Sequence, residues 1–122
     1  MGDGMTDIEN ITTLSVADAV RFVSRAFVQA GVSEANAATV AAALVAAEID
    51  GQKGHGLSRV KSYALQARSG KVNGAAVPQL EICSAGLIRV DAQNGFAFPA
   101  IALAISELLT RLPETGIAAA GI

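Results

Sequence analysis

The sequence predicts an α+β fold in which N-terminal helices are followed by short strands and a further helix. Three observations predict it. Apolar residues recur at three- and four-residue spacing ahead of Gly51, and β-branched and apolar runs follow Pro78, broken by Gly86. Helical spacing then returns between Pro99 and Pro113. Elements grouped in this way, helices first and strands later, are the pattern of segregated layers.

The elements follow in order. Residues 1–14 mix Gly, Asp, Thr and Asn with scattered apolar positions and read as a flexible N-terminal arm. Ser15 with Asp18 three residues on resembles a capping box, and Val16, Val20, Val23, Phe27 and Ala30 form one helical face that stops at Gly31. Ser33 offers a second N-cap, and Ala37, Val40, Ala41, Leu44, Val45 and Ala47 carry a second helix towards Gly51. The short Gly31-Val32-Ser33 link predicts an antiparallel helix pair. A third helix is expected over 57–68, ending at Ser69-Gly70.

Beyond Pro78, residues 79–85 and 87–91 read as two short strands, a hairpin about Gly86, with Cys83 as a small buried hydrophobe in the first. Asn94-Gly95 marks the next turn. Pro99 suits the first turn of a helix through Ile101, Ala104, Ile105, Leu108 and Leu112 that closes before Pro113. The last segment, 115–122, reads as a strand entering a core, with an exposed edge strand as the alternative. A buried strand ending on Ile122 would desolvate a carboxylate, so further polypeptide is expected to complete the fold.

Composition bounds the partners. With 52% apolar but only 4% aromatic residues in 122, the core is built largely from alanine, which buries little area per residue. Such a chain is expected to lean on other polypeptide surface. Nine cations against eleven anions, in no long block, argue against a nucleic-acid partner. Cys83 is the single cysteine, which excludes an internal disulfide and suits a reducing compartment. No apolar run reaches transmembrane length and no signal-peptide pattern opens the chain, so a cytoplasmic protein without membrane contact is expected.

Chemistry concentrates in one stretch. Residues 50–63 hold the only histidine, His55, the only tyrosine, Tyr63, and the cations Lys53, Arg59 and Lys61 around a glycine-flanked turn. Gly54 and Gly56 free the backbone beside His55 for a close approach. If a helix begins at Gly56 or Leu57, Arg59 and Tyr63 follow His55 by one and two turns on the same face. On spacing alone, His55 reads first as a solvated or locally bonded turn residue and Arg59 as a surface cation. Lys53 and Lys61 read as solvated charges, and Asp50 as a helix-end residue. No Gly-rich phosphate cradle is present, so the cofactor-binding residues are unknown, and no metal site is predicted.

The order Asp50-Gly51-x-x-Gly54-His55-Gly56-x-x-Arg59-x-x-x-Tyr63 carries a resemblance together with five further motifs. These are Ser69-Gly70-Lys71-Val72, Pro78, Arg89-Val90-Asp91-Ala92, Gly95-Phe96-Ala97 and Thr115-Gly116-Ile117-Ala118. Over residues 15–122 the chain resembles the N-terminal part of the malate/L-lactate dehydrogenase type 2 oxidoreductases. Val90-Asp91-Ala92 and Gly95-Phe96-Ala97 resemble the branch that reduces Δ1-piperideine-2-carboxylate and Δ1-pyrroline-2-carboxylate. The resemblance implies an α+β fold unlike the Rossmann fold, NADPH or NADH as cofactor, and a small-molecule carboxylate substrate. It also implies a second polypeptide supplying the rest of the fold, with the completed protomer forming a homodimer.

The resemblance further implies that His55 is the catalytic proton donor and that Arg59 holds the substrate carboxylate. Gly54 and Tyr63 read as possible pocket residues, with no family role carried over for Tyr63. One departure stands out. The family usually has serine immediately before the histidine, where the hydroxyl joins a relay with the imidazole and a later aspartate; here the residue is Gly54. Two other readings therefore stay open: a non-catalytic structural or interaction subunit, and a 2-hydroxy acid (malate or lactate) dehydrogenase of the same family.

Overall fold

The computed structural model describes residues 11–122. Of the predicted N-terminal arm, residues 1–10 lie outside the described residues, and 11–14 are exposed and belong to no helix or strand. The chain then forms α1 (Val16–Gln29), α2 (Glu34–Ile49), two single 3₁₀ turns (Lys53–His55 and Leu57–Arg59) and α3 (Val60–Arg68). A hairpin of β1 (Gln79–Ser84) and β2 (Leu87–Asp91) follows, then α4 (Ala97–Thr115) and β3 (Ala119–Gly121).

The helix pair forms where the capping signals place it. Ser15 Oγ accepts from the Asp18 N–H at 3.1 Å, and Ser33 Oγ from the Asn36 N–H at 3.3 Å, each satisfying an otherwise orphaned donor of a first turn. Gly31 takes φ +93°, the left-handed conformation that lets α1 stop and the chain reverse. Val23 and Phe27 of α1 and Ala37, Val40, Ala41, Leu44 and Val45 of α2 make the main core. Val16 stays 56% exposed, so the apolar face of α1 reaches the core only from its second turn. Phe96, just ahead of α4, seals this core: its ring meets Phe27 edge-on at 6.0 Å and Tyr63 of α3 at 5.7 Å.

A buried amide ties the helix pair to the rest. Asn36 Nδ2 donates to the carbonyls of Gly74 (3.0 Å) and Ala76 (2.8 Å), and the Ser33 N–H also reaches Gly74 O at 3.0 Å. Gly74 is needed there, since a Cβ would stand 2.8 Å from the Gly31 carbonyl oxygen. Asn36→Ala removes both amide bonds and leaves Ala76 O without that partner. The substitution is expected to destabilise the chain by about 1–3 kcal/mol, read as a lower midpoint in chemical denaturation.

The sheet has the order β1-β2-β3. β1 and β2 pair antiparallel, with Leu80 opposite Val90 and Ile82 opposite Ile88, as the hairpin reading expects. β3 pairs parallel to β2, Leu87 with Ala119 and Ile88 with Ala120, so α4 is a crossover between neighbouring parallel strands. Val90, Ala100 and Ala104 form a second small core between β2 and α4. Arg111 fastens the far end of α4, its Nη1 donating to Ala85 O at 3.2 Å while Nε and Nη2 hold Glu107.

Several expectations are corrected. The third helix begins at Val60 rather than residue 57, because Leu57–Arg59 closes as a 3₁₀ turn. α4 runs through Pro113 to Thr115: proline gives up its own N–H bond and crowds the carbonyl one turn back, but Thr115 Oγ1 and the Gly116 N–H close the last turn on the carbonyls of Arg111 and Leu112. The face of α4 on the sheet is Ala100 and Ala104, leaving Ile101 and Ile105 exposed. Cys83 is exposed, not buried, as is every residue of β1, which lies at the open edge of the sheet. The turn after β2 comes one residue early, with Gln93 and Asn94 at positive φ and the Gly95 N–H bonding Ala92 O. Gly95 serves instead a close approach to Ala76. The last strand is three residues long at the sheet edge, the alternative to the buried strand.

Candidate active site

The two 3₁₀ turns carry the candidate residues out of the C-terminal end of α2. Asp50 caps α2, Gly51 turns at φ +79°, and the Gln52 N–H returns to Ala47 O at 2.8 Å. The first turn ends on His55, whose N–H bonds Gln52 O at 2.8 Å. Gly56 is buried and bends the path (φ −100°, ψ −133°), and the second turn leads into α3.

Three side chains brace this path. Ser58 Oγ donates to Lys53 O at 2.7 Å, and Arg59 Nε donates to Gly54 O at 2.6 Å, so the second turn is tied back onto the first. Glu48 of α2 accepts the Leu57 N–H at 3.0 Å through Oε2. The glycines differ in role. Gly54 has open space where a Cβ would stand, whereas a Cβ on Gly56 would collide with the Glu48 side chain and lie 3.0 Å from its Cα.

Gly54, His55 and Arg59 thus share one exposed segment. Among the described residues the His55 imidazole makes no hydrogen bond, and the two terminal nitrogens of Arg59 are likewise unpaired once Nε is bound to Gly54. Tyr63 does not join them: it is half-buried against Phe96, supporting the segment from beneath. Lys53, Lys61 and Asp50 are exposed and form no ion pair among the described residues. Among the described residues, no group of three or more His, Cys, Asp or Glu is placed to hold a metal ion. No described helix is long and apolar enough to cross a membrane.

Sequence reasoning missed Glu48. Its signal was present, since an acidic residue in the last turn of a helix opposes the macrodipole, and α2 has no basic residue there. It also missed Phe96 as the joint between the helix pair and α3, for which spacing gave no cue.

The family described as malate/L-lactate dehydrogenase matches residues 14–122, and this chain belongs to it. The chain is 40% identical over 109 residues to a (2R)-3-sulfolactate dehydrogenase (NADP(+)) of Chromohalobacter salexigens, covering 89% of this chain and 32% of that protein. It is 39% identical over 106 residues to a Delta(1)-pyrroline-2-carboxylate/Delta(1)-piperideine-2-carboxylate reductase of Pseudomonas syringae pv. tomato, covering 87% and 31%. The crystal structure of delta1-piperideine-2-carboxylate reductase from the same organism superposes with a TM-score of 0.86 at 37% identity, over 90% of this chain and 33% of that one. The chain therefore spans about a third of the length of the relatives it matches.

Proposed function

We propose that this chain is the N-terminal segment of a cytoplasmic NAD(P)H-dependent reductase of cyclic imine carboxylates, the Δ1-piperideine-2-carboxylate and Δ1-pyrroline-2-carboxylate class. The observation that carries the reading is the braced segment itself, which offers the imidazole of His55 and the unpaired edge of the Arg59 guanidinium from five consecutive residues. The reductases among the relatives support the substrate class.

In this reading Arg59, held through Nε, receives the substrate carboxylate on its two terminal nitrogens, a planar pair suited to a planar acceptor. His55 gives a proton to the ring nitrogen as the neighbouring carbon is reduced, so the C=N bond becomes CH–NH. A bound nicotinamide supplies the hydride. The described residues hold no Gly-rich phosphate cradle for it, and Ser15 and Ser33 already cap the first turns of α1 and α2. In this reading further polypeptide or a second chain completes the cofactor site, in a non-Rossmann fold that works as a homodimer. Ile105, Leu109 and Ile117, exposed at 53%, 63% and 81%, offer apolar surface for that polypeptide.

Native and denaturing mass spectrometry of the purified protein, followed by an assay of both cyclic imines with NADPH and NADH, tests the reading. A longer companion chain and turnover support it; a lone chain that consumes no nicotinamide overturns it. The sulfolactate dehydrogenase among the relatives favours a second reading, a 2-hydroxy acid dehydrogenase, which the same assay separates by substrate.

Gly54 supports a third, non-catalytic reading, because the hydroxyl expected beside the histidine is missing. Gly54→Ser decides between them. The open space at this position accepts the side chain, so stability is expected to stay within about 0.5 kcal/mol. If the segment is catalytic, turnover is expected to rise with the restored hydroxyl. Unchanged, absent turnover in both proteins favours the non-catalytic subunit.

A further inference from the structure

We propose that Glu48 is a positioning residue for His55 and Arg59, an inference that rests on the reading of those two residues as the reacting pair. Glu48 lies in the last turn of α2, where its negative charge faces the negative end of the helix dipole and no basic residue compensates it. Such a local conflict requires a tertiary reason, and the structure supplies one. Glu48 Oε2 accepts the Leu57 N–H at 3.0 Å, binding the first donor of the second 3₁₀ turn. Gly56 packs so closely on the same side chain that no Cβ fits between them.

The carboxylate thus holds the junction between the turn that ends in His55 and the turn that ends in Arg59. Leu57 is two residues from each, so the clasp sets the separation and direction of both functional groups. Without it, the two turns stay joined to each other through Ser58 and Arg59, and the Gln52 N–H still holds the entry to the first turn on α2, but the junction at Leu57 loses its tie to that helix. Glu48 itself touches no reacting atom in this scheme. Its effect passes through the backbone of residues 56 and 57.

The test compares Glu48→Ala and Glu48→Gln in the full protein by two readouts. Amide exchange measures the clasp: the Leu57 N–H is expected to lose about tenfold or more of its protection in E48A, and to keep most of it in E48Q, whose amide oxygen still accepts. Steady-state kinetics measures the consequence. E48A is expected to lower kcat/KM about a hundredfold, the order that follows from misplacing reacting groups by about an ångström, while E48Q recovers most of it. Gly56→Ala, which pushes the same junction off Glu48 with the carboxylate intact, is expected to reproduce E48A in both readouts.

Unchanged Leu57 protection in E48A overturns the proposal, and so does lost protection with turnover intact. Failure of E48Q to recover function when the clasp is restored also counts against it. A protein with no nicotinamide-dependent turnover would refute the functional reading separately. Exchange would then still decide the clasp, lost protection in E48A and G56A supporting it and retained protection refuting it.

Discussion

His55→Ala is expected to lower turnover of a cyclic imine carboxylate by about 10²–10⁴-fold, the usual contribution of a positioned general acid. The fold is expected to survive, because His55 is exposed and its ring makes no hydrogen bond among the described residues. Surface substitutions of this kind stay within about 0.5 kcal/mol of the parent. Loss of activity with an unchanged denaturation midpoint would therefore be chemical in origin. An H55A protein with full turnover would remove the residue from the mechanism and return it to the solvated turn that spacing alone allows.

What the sequence made legible was local. Ser15 and Ser33 cap the helices they announce because a hydroxyl beside a first turn needs nothing but that turn. The β1–β2 hairpin was readable for the same reason, its partners being only a few residues apart. The parallel pairing of β3 with β2 was not, since it depends on α4 packing back across the sheet through Ala100 and Ala104. Proline rules placed the end of α4 too early, because they count the bond proline cannot make and not the ones Thr115 and Gly116 supply. Cys83 escaped for a related reason: the burial of a strand depends on what packs against it, and every residue of the edge strand β1 is exposed.

The site was legible as a neighbourhood but not as a geometry. Only three residues separate His55 from Arg59, which keeps them together whether the backbone is helical or not, so their association could be read from spacing. The path between them could not. A continuous helix from residue 57 would have placed Tyr63 on the same face, but the bend at Gly56 and the clasp from Glu48 give two separate turns, and Tyr63 turns to Phe96. Neither Glu48 nor Phe96 lies within residues 50–63, and their part depends on contacts that only folding creates.

Arg59→Ala is expected to lower kcat/KM for a carboxylate substrate by about a hundredfold or more, since each hydrogen bond to a charged partner contributes about 1.5–3 kcal/mol and two are lost. Arg59→Lys keeps the charge but not the planar fork, and is expected to recover only part of that loss, mostly in KM. The complication is that Arg59 also braces the segment through Gly54 O, so truncation removes a backbone tie as well as an anchor. A substrate series separates the two roles. A cyclic imine lacking the carboxylate makes no use of the anchor, so R59A is expected to cost it far less than it costs the carboxylate. If both substrates lose activity equally, Arg59 acts by holding the turn that presents His55. In that case the carboxylate must be bound elsewhere, by residues that these two turns do not provide.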